Sequence, residues 1–283
     1  MIRRLAVVGL GLLGGSVARM SRGQGLADQI VAIGRSREGL EAARRDGVVD
    51  DITTDIAAGL RGVDLCVLAT PVAVLRGLLA DVWAAAPSDC VITDVGSTKR
   101  AIVDAAERLA DGRPLAFVGG HPMAGSERSG YAVSRPDLFR GATVILTPTE
   151  RTAADALKRV CGLWEAAGAR VRTMDAASHD RAVAAVSHLP HLVADALVDG
   201  VLRMDPAFLD VAGRGFRDTT RIAAADPRMW REIFQENQAA LGEALAAFRI
   251  ALSHLEGLVD AGDGAAVEAA LARIKDVRER MTG

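Results

Sequence analysis

The sequence contains too few cysteines for covalent cross-links to hold its fold. Cys66, Cys90 and Cys161 are scattered along 283 residues, which fits neither a disulfide framework nor a zinc knuckle. We therefore expect all three to be small buried hydrophobic residues.

Lysine and net charge are also scarce. Of the 34 Lys and Arg residues only Lys99, Lys158 and Lys275 are lysines, so lysine-based catalysis has three candidates. Against 36 Asp and Glu residues the net charge is −2. Binding along a nucleic-acid backbone needs a basic stripe, so we expect no nucleic-acid partner.

Long apolar runs are missing as well. The most apolar region, residues 65–86, contains Pro71, Arg76 and Asp81, which is typical of a strand, a turn and a helix rather than a membrane span. The N-terminus leads directly into a short strand and lacks the apolar stretch of a signal peptide. We expect a cytoplasmic protein with no membrane partner.

The first part of the chain alternates short β-branched runs with helical stretches. Such alternation predicts an α/β domain with a mostly parallel sheet, in which the last strands form an antiparallel edge. The predicted strands are residues 5–8, 30–33, 65–69, 91–93, 115–118, 143–146 and 170–172. After residue 172 only helical spacing follows, so we predict one domain over 1–172 and an all-helical domain over 173–283.

A glycine-rich motif, GLGLLG, spans residues 9–14 between the first strand and an apparent helix. This context is typical of a Rossmann-type, doubly wound domain that binds a dinucleotide. Gly9 permits the tight turn, Gly11 admits the pyrophosphate and Gly14 lets the helix pack on the strand, with Leu12 and Leu13 between them. The alternative is an ordinary glycine-rich turn.

The residue expected to contact the ribose indicates which dinucleotide is bound. NAD-binding folds place an acidic residue about 20 positions after the glycines, but the sequence here has Gly34, followed by Arg35, Ser36 and Arg37. Two guanidinium groups and a hydroxyl suit a 2′-phosphate, which favours NADP, with NAD as the alternative. Otherwise the two arginines merely begin the next helix.

Three loops follow predicted strands and should converge beside the nicotinamide, because ligands of such sheets bind at the carboxyl ends of strands. They contain Thr70 and Pro71, the segment 94–99 and the segment 119–127. His121, on the third loop, is suited to act as a general base. By itself, Ser97 reads as a helix N-cap and Lys99 as a solvated helix residue.

Histidines introduce the helical half. His188 and His191 share a face if their segment is helical, and Pro190 should kink or end that helix. On a straight helix His179 would point away from His188. A zinc site lacks further ligands, so we expect no metal. In segment 215–221 an arginine could grip a carboxylate, or form a capping ion pair with Asp218.

The residues thus predict a two-domain oxidoreductase that acts on a small carboxylated molecule. Taken together, its motifs resemble the prephenate/arogenate dehydrogenase family of tyrosine biosynthesis, in order over three quarters of the chain. They are GLGLLGGSVA, DVGSTK, GGHPMAGSERSG, HDRAVAAVSHLPH, GFRDTTRIA and DPRMWREIF.

The resemblance implies a reaction and roles in it. Prephenate loses a hydride to NAD(P) and its ring carboxylate as carbon dioxide, which gives 4-hydroxyphenylpyruvate. His121 matches the family's base, Ser97 the serine that polarises the same region, and Arg221 the arginine that grips the ring carboxylate. The other matched positions are Lys99 and His191 at the substrate, and Glu127, Asp180 and Trp230 around the entrance. In the family the helical domain mediates dimerisation, so the resemblance also implies a homodimer.

Departures from the family pattern bear on substrate and cofactor. Gly34 keeps the preference for NADP, whereas Arg214 replaces a small residue and would favour the doubly anionic prephenate or else face solvent. The pairing of His188 with His191 also favours prephenate, with arogenate-specific or dual use as the alternative.

Two other classes remain as rivals. One is another two-domain Rossmann reductase, such as the β-hydroxyacid dehydrogenases, which use a lysine at the start of the helical domain. No lysine stands at that place in this sequence. The other is a non-catalytic NADPH-binding sensor, which we would expect to have lost His121 or Arg221.

Overall fold

The structure is a computed structural model that describes residues 2–111, 115–126 and 128–281. Its strands are β1 (Ile2–Val8), β2 (Ala27–Ile33), β3 (Asp51–Thr53), β4 (Leu65–Leu68), β5 (Val91–Asp94), β6 (Phe117–Pro122), β7 (Thr143–Thr147) and β8 (Arg170–Thr173). Its helices are α1 (Leu12–Gly23), α2 (Arg37–Arg45), α3 (Ile56–Gly59), α4 (Val72–Ala85), α5 (Arg100–Ala110), α6 (Ala154–Ala166), α7 (Ala176–Val183), α8 (Leu189–Met204), α9 (Arg214–Thr220), α10 (Pro227–Glu236), α11 (Gln238–Asp260) and α12 (Gly264–Arg280).

The strands form a single sheet in the order β3-β2-β1-β4-β5-β6-β7-β8. The pairs from β3 to β6 are parallel, β7 runs antiparallel to β6, and β8 is parallel to β7. The chain leaves β1 in one direction for β2 and β3 and returns on the other side for β4. This reversal beside β1 is where doubly wound sheets bind ligands, and the prediction of a Rossmann-type α/β fold is confirmed.

Both faces of the sheet are buried at its central strands, as a parallel sheet requires. Successive residues of β1 point to opposite sides. Leu5 and Val7 belong to one hydrophobic cluster, and Ala6 and Val8 to the other. Strand β4 is buried along its whole length for the same reason.

Two strand predictions were wrong in detail. Strand β3 was missed because its three residues, DIT, give no recognisable alternation. The predicted strand at 115–118 instead begins at Phe117 and continues to Pro122, while Leu115 forms only an isolated bridge to Thr152. This extension puts His121 in a strand paired with Ile145, not in a loop.

Among the described residues, the last strand ends at Thr173 and only helical segments and their connections follow. By compactness the chain divides into Met1–Asn237 and Gln238–Gly283, so α7 to α10 belong to the same unit as the sheet. The second unit contains α11 and α12, which pack on each other. A domain boundary at 172/173 remains a prediction. No helix in the described part of the chain has the length and apolar character of a membrane span.

Candidate active site

The turn between β1 and α1 is shaped to receive a pyrophosphate. Gly9 has φ 95°, a conformation that favours glycine, and a Cβ at Gly14 would overlap the Gly9 carbonyl oxygen. At Gly11, by contrast, no atom lies within 4 Å of a Cβ position. The N-terminus of α1 has no side-chain cap and no acidic residue in its first turn. Its amides therefore fit the phosphates of a dinucleotide.

The loop that follows β4 borders the same turn. Thr70 lies against Gly9, since its methyl group is 3.0 Å from where a Gly9 Cβ would be. The Thr70 hydroxyl is buried without a partner in the described structure. Pro71 is the N-cap residue of α4. The glycine turn and this loop thus lie beside each other at the β1–β4 reversal.

The loop that follows β2 supplies the predicted ribose-binding residues. Ser36 is the N-cap of α2, and its hydroxyl accepts a 3.4 Å hydrogen bond from the Gly39 amide. Arg35 and Arg37 are exposed, and Arg37 has a 3.9 Å ion pair with Glu41. A helix N-terminus with two arginines beside it is compatible with a phosphate.

Asp94, at the end of β5, organises the centre of the site. Its two carboxylate oxygens accept hydrogen bonds from the Gly96 amide at 2.8 Å and from the Gly120 amide at 3.0 Å, and it forms an ion pair with Lys99. Lys99 is fully buried, so it is not the solvated residue that the sequence suggested. The bond to Gly120 fixes β6 immediately before His121.

A line of hydrogen bonds runs inward from His121. The His121 Nδ1 lies 2.9 Å from His179 Nε2, and the His179 Nδ1 lies 2.8 Å from Asp180 Oδ1. The Asp180 carboxylate also accepts hydrogen bonds from the backbone amides of Lys99 at 2.7 Å and Arg100 at 3.0 Å. Asp180 therefore caps α5, and Ser97 does not: the N-cap residue is Lys99, which has no side-chain cap of its own.

Burial and neighbouring charges hold His121 in its neutral form. Burial is the largest cause that lowers the pKa of His121 well below 6.5, and His179, Lys99 and His188 lower it further. A neutral imidazole keeps one nitrogen free to accept a proton. His121 therefore meets the electrostatic requirement for a general base at neutral pH.

Asp180, at the inner end of the line, is held in its charged form, whereas His121 is held in its neutral form. Burial alone would raise the pKa of Asp180, but the hydrogen bonds from His179 and from the Arg100 and Lys99 amides outweigh it and lower the pKa below 3.8. Asp180 thus stays ionised inside the protein. The resemblance suggested a place near the entrance, whereas both carboxylate oxygens are occupied by internal partners.

A π-helical turn, Ala184–His188, connects α7 to α8 just before Pro190. Its i→i+5 hydrogen bonds rotate each residue less than an α-helix does. This turn changes the phase between His179 and His188 relative to a straight helix, and His179 lies close enough to lower the pKa of His188. Both side chains are buried.

Asn237 ties His188 to this line. Its amide nitrogen donates a 2.7 Å hydrogen bond to the Asp180 carbonyl and lies 3.2 Å from His188 Nδ1. Since the amide nitrogen is a donor, His188 Nδ1 accepts and its proton sits on Nε2. Burial lowers the pKa of His188 to about 4, which is consistent with a neutral ring.

An aromatic cluster borders the histidines. The ring of His191 stacks on Trp230 with 3.5 Å between ring centroids, and the edge of His188 meets the same indole at 6.1 Å. His191 Nδ1 and Trp230 Nε1 are buried without a partner in the described structure. Both residues line a pocket of about 460 Å³ that Asp195 and Phe234 also border.

The other residues that the sequence predicted for the site lie outside this line and the aromatic cluster. Ser97 is half-buried between β5 and α5, and within the described residues its hydroxyl makes no hydrogen bond. Arg221 begins the short 3-10 helix Arg221–Ala224, which packs against α8. Asp218 pairs with the exposed Arg214 at 3.8 Å. Glu127 lies outside the described residues.

Both halves of the chain match one known family. Residues 17–173 match prephenate dehydrogenase, nucleotide-binding domain, and residues 175–273 match prephenate dehydrogenase, dimerization domain. The fold is similar to that of the prephenate dehydrogenase from A. aeolicus in complex with hydroxyphenyl propionate and NAD+, with TM-score 0.92 and 36% identity over 99% of each chain. The chain belongs to the prephenate dehydrogenase family.

Curated members of this family are similar in sequence. The prephenate dehydrogenase of Bacillus subtilis is 37% identical over 238 residues, which is 83% of this chain but 64% of that protein, less than two thirds of its length. The cyclohexadienyl dehydrogenase of Zymomonas mobilis is 34% identical over 93% of this chain and 90% of that protein. The β-hydroxyacid dehydrogenase alternative is thereby set aside.

Sequence reasoning missed two contributors to the site of this family member. His179 was noted only for its position opposite His188, although the pair His179-Asp180 is a local signal for an oriented imidazole. Asn237 gave no signal at all, because its role depends on bonds to residues 57 and 49 positions away.

Proposed function

We propose that this chain is a prephenate dehydrogenase that oxidises prephenate to 4-hydroxyphenylpyruvate and carbon dioxide with reduction of NAD(P). The observation that supports it most is the neutral, buried His121 at the carboxyl edge of the sheet, beside the loops that fit a dinucleotide. A base at this place suits removal of a hydroxyl proton from a bound alcohol.

His121 accepts the proton of the substrate's 4-hydroxyl group at Nε2. As that proton leaves, a hydride leaves C4, the bond to the ring carboxylate breaks and the ring becomes aromatic. The nicotinamide, when bound, supplies the hydride acceptor. Because carbon dioxide departs and aromaticity is gained, the step is effectively irreversible.

The other residues bind and orient the substrate. Arg221 grips the ring carboxylate, and His191, stacked on Trp230, lies near the side-chain carboxylate. Ser97 polarises the hydroxyl region from the loop after β5. Lys99 acts from within the protein, through Asp94 and through its field at His121. Trp230 lines the entrance, a role that the resemblance also implies for Glu127, and Asp180 supports the base from inside.

The proposed cofactor is NADP, with NAD as the alternative. Arg35, Ser36 and Arg37 follow Gly34, where no carboxylate is present to repel a 2′-phosphate. Gly9, Gly11, Leu12, Leu13 and Gly14 hold the pyrophosphate, and Thr70 and Pro71 border it. NAD is the nucleotide bound to the A. aeolicus relative.

We also propose a homodimer formed through the helical half. Residues 175–273 match a dimerization domain. Several large apolar side chains of α11 and α12 are exposed in the single chain, namely Ile250, Leu252, Val259, Leu271, Ile274 and Val277. Light scattering tests this proposal, since a monomeric mass at assay concentration contradicts it.

Arogenate-specific or dual use is the second candidate, since the Zymomonas mobilis relative is a cyclohexadienyl dehydrogenase. Prephenate and arogenate, each with NADP or NAD, would be incubated with the protein while nicotinamide reduction is followed by absorbance. We expect the highest kcat/KM with prephenate and NADP. Turnover with arogenate alone contradicts the substrate proposal. A folded protein that binds the nucleotide but turns over no pair contradicts the function.

A further inference from the structure

His121 is joined to an ionised carboxylate by a second histidine, and every contact in the line is of hydrogen-bond length. The spacings are 2.9 Å from His121 to His179 and 2.8 Å from His179 to Asp180. His179 has no exposed surface and Asp180 is 6% exposed. The line is therefore shielded from water that could replace either partner.

The order of protons along this line follows from its inner end. The Asp180 carboxylate is ionised and acts only as an acceptor, so His179 must donate its Nδ1 proton to it. A neutral His179 then has a lone pair at Nε2 and accepts a proton from His121 Nδ1. Of the two nitrogens of His121, only Nε2 remains unprotonated.

We propose that His179 is a positioning residue that holds His121 in the tautomer with the proton on Nδ1, so that Nε2 is always the basic nitrogen. The proposal rests on the proposed function, in which Nε2 accepts the substrate's proton. When it does, the new imidazolium donates its Nδ1–H to His179, one ring away from the Asp180 carboxylate.

Other groups around His121 do not set this tautomer. Lys99, at the start of α5, is paired with Asp94, and neither makes a hydrogen bond to the His121 ring within the described residues. His188 approaches from the π-helical turn but is engaged by Asn237. On β7 the residue opposite His121 is the uncharged Ile145. His179 alone among these occupies Nδ1.

The reverse order of protons is the competing arrangement. If His179 carried protons on both nitrogens, it would donate to His121 Nδ1 and leave the His121 proton on Nε2. His121 would then be unable to accept the substrate's proton. The two arrangements differ at an observable atom, so a direct measurement separates them.

The first experiment is nitrogen-15 NMR of the five histidines in the labelled 283-residue protein at neutral pH. Two-bond couplings from the ring protons identify which nitrogen is protonated, and His121→Gln, His179→Gln and His254→Gln assign the signals. We expect His121 and His179 both protonated at Nδ1. A protonated Nε2 on His121 overturns the proposal. This readout needs no turnover, so it stands apart from any failure of the proposed function.

The second experiment compares His179→Leu with His179→Gln. Leu removes the acceptor, whereas the Gln carbonyl can still accept from His121 Nδ1. We expect kcat to fall about 10- to 100-fold in His179→Leu, less than the roughly 10²–10⁴ lost with the general base itself, because His121 is retained. KM should be nearly unchanged and the His121 proton should shift toward Nε2. Gln should restore most of kcat.

Controls separate positioning from structural damage. The exposed His254, on α11, is the matched control, and His254→Gln should leave kcat and KM at wild-type values. Thermal unfolding and nucleotide affinity are measured for each variant. If His179→Leu is unfolded, the Gln variant and the NMR of the wild-type protein decide. Equal kcat in wild-type, Leu and Gln proteins overturns the proposal.

Discussion

The nucleotide edge of the sheet and the histidine line that faces it are built by different physics. At the edge, the geometry of Gly9 and Gly14 is set within a few residues of backbone. The line from His121 to Asp180 depends on a bond between His121 and His179, 58 positions apart, and Asp180 is held by the Lys99 amide, 81 positions away. A local backbone conformation can be recognised from a short motif, whereas a set of distant partners cannot.

The glycine turn should give the largest effect. In Gly14→Ala the new Cβ would overlap the Gly9 carbonyl, so we expect loss of measurable nucleotide binding together with a cost of at least about 1–3 kcal/mol in stability, as for overpacking. Calorimetry of binding and thermal unfolding measure both.

Two other glycines sharpen this test. Gly11→Ala, which has free space in the protein, should weaken nucleotide binding but leave the unfolding temperature nearly unchanged. Gly23→Ala, near the end of α1 with no atom close to its Cβ position, should keep full affinity and add about 0.5–1 kcal/mol of stability. Equal stability of the Gly14→Ala and Gly11→Ala variants would show that the close packing of Gly14 against the Gly9 carbonyl does not contribute to stability.

On the other side of the comparison, His121→Asn removes the proposed base. We expect kcat to fall by about 10²–10⁴ while nucleotide affinity is kept. In the wild-type protein, kcat/KM should fall with decreasing pH only below 6.5, because the pKa of His121 is lowered by its burial. A pH-rate profile whose acid limb lies above 6.5 would contradict the assignment.

Asp180→Asn tests the inner end of the line. The side-chain amide nitrogen of Asn is a donor and would face other donors. We therefore expect the free energy of unfolding to fall by about 1.5–3 kcal/mol, as for loss of a hydrogen bond to a charged group. The folded pKa of Asp180 is below its ordinary value, so its stabilisation is present above about pH 3.9 and is lost as pH falls through the lower, folded value.

This pH dependence provides the measurement. Denaturant unfolding measures the free energy of unfolding of the wild-type protein and of Asp180→Asn. The difference between them should be constant near neutral pH and should become smaller at acid pH. The exposed Asp199, paired with Arg203 on α8, offers the control Asp199→Asn, which should change little. If the difference in free energy of unfolding stayed constant through acid pH, the charge of the Asp180 carboxylate would not contribute to stability.

The smallest effect concerns the ribose end of the nucleotide. The double variant Arg35→Ala/Arg37→Ala should lower the affinity for NADP about tenfold or more, because charge-assisted hydrogen bonds are lost. Its affinity for NAD should change little. Binding titrations with both nucleotides measure the ratio. An equal loss for NADP and NAD would show that the two arginines do not contact a 2′-phosphate.

The sequence was sufficient for seven of the eight strands, the glycine turn and the family, because each rests on alternation or on a contiguous motif. It misplaced His121 in a loop, since GGHP has low strand propensity and is held in β6 by pairing with β7. It also assigned the cap of α5 to nearby Ser97. Local spacing does not reveal that a carboxylate from α7 takes that place.

The cap on α5 links folding to the assembly of the site. The first amides of a helix remain without partners unless a cap reaches them, and here the partner comes from a residue 80 positions later. Contacts of such sequence separation form late, after the intervening chain has been ordered. The amides of Lys99 and Arg100 should therefore exchange with solvent until α7 has docked. Protection of these two amides from exchange would report, without any substrate, whether the candidate site has been assembled.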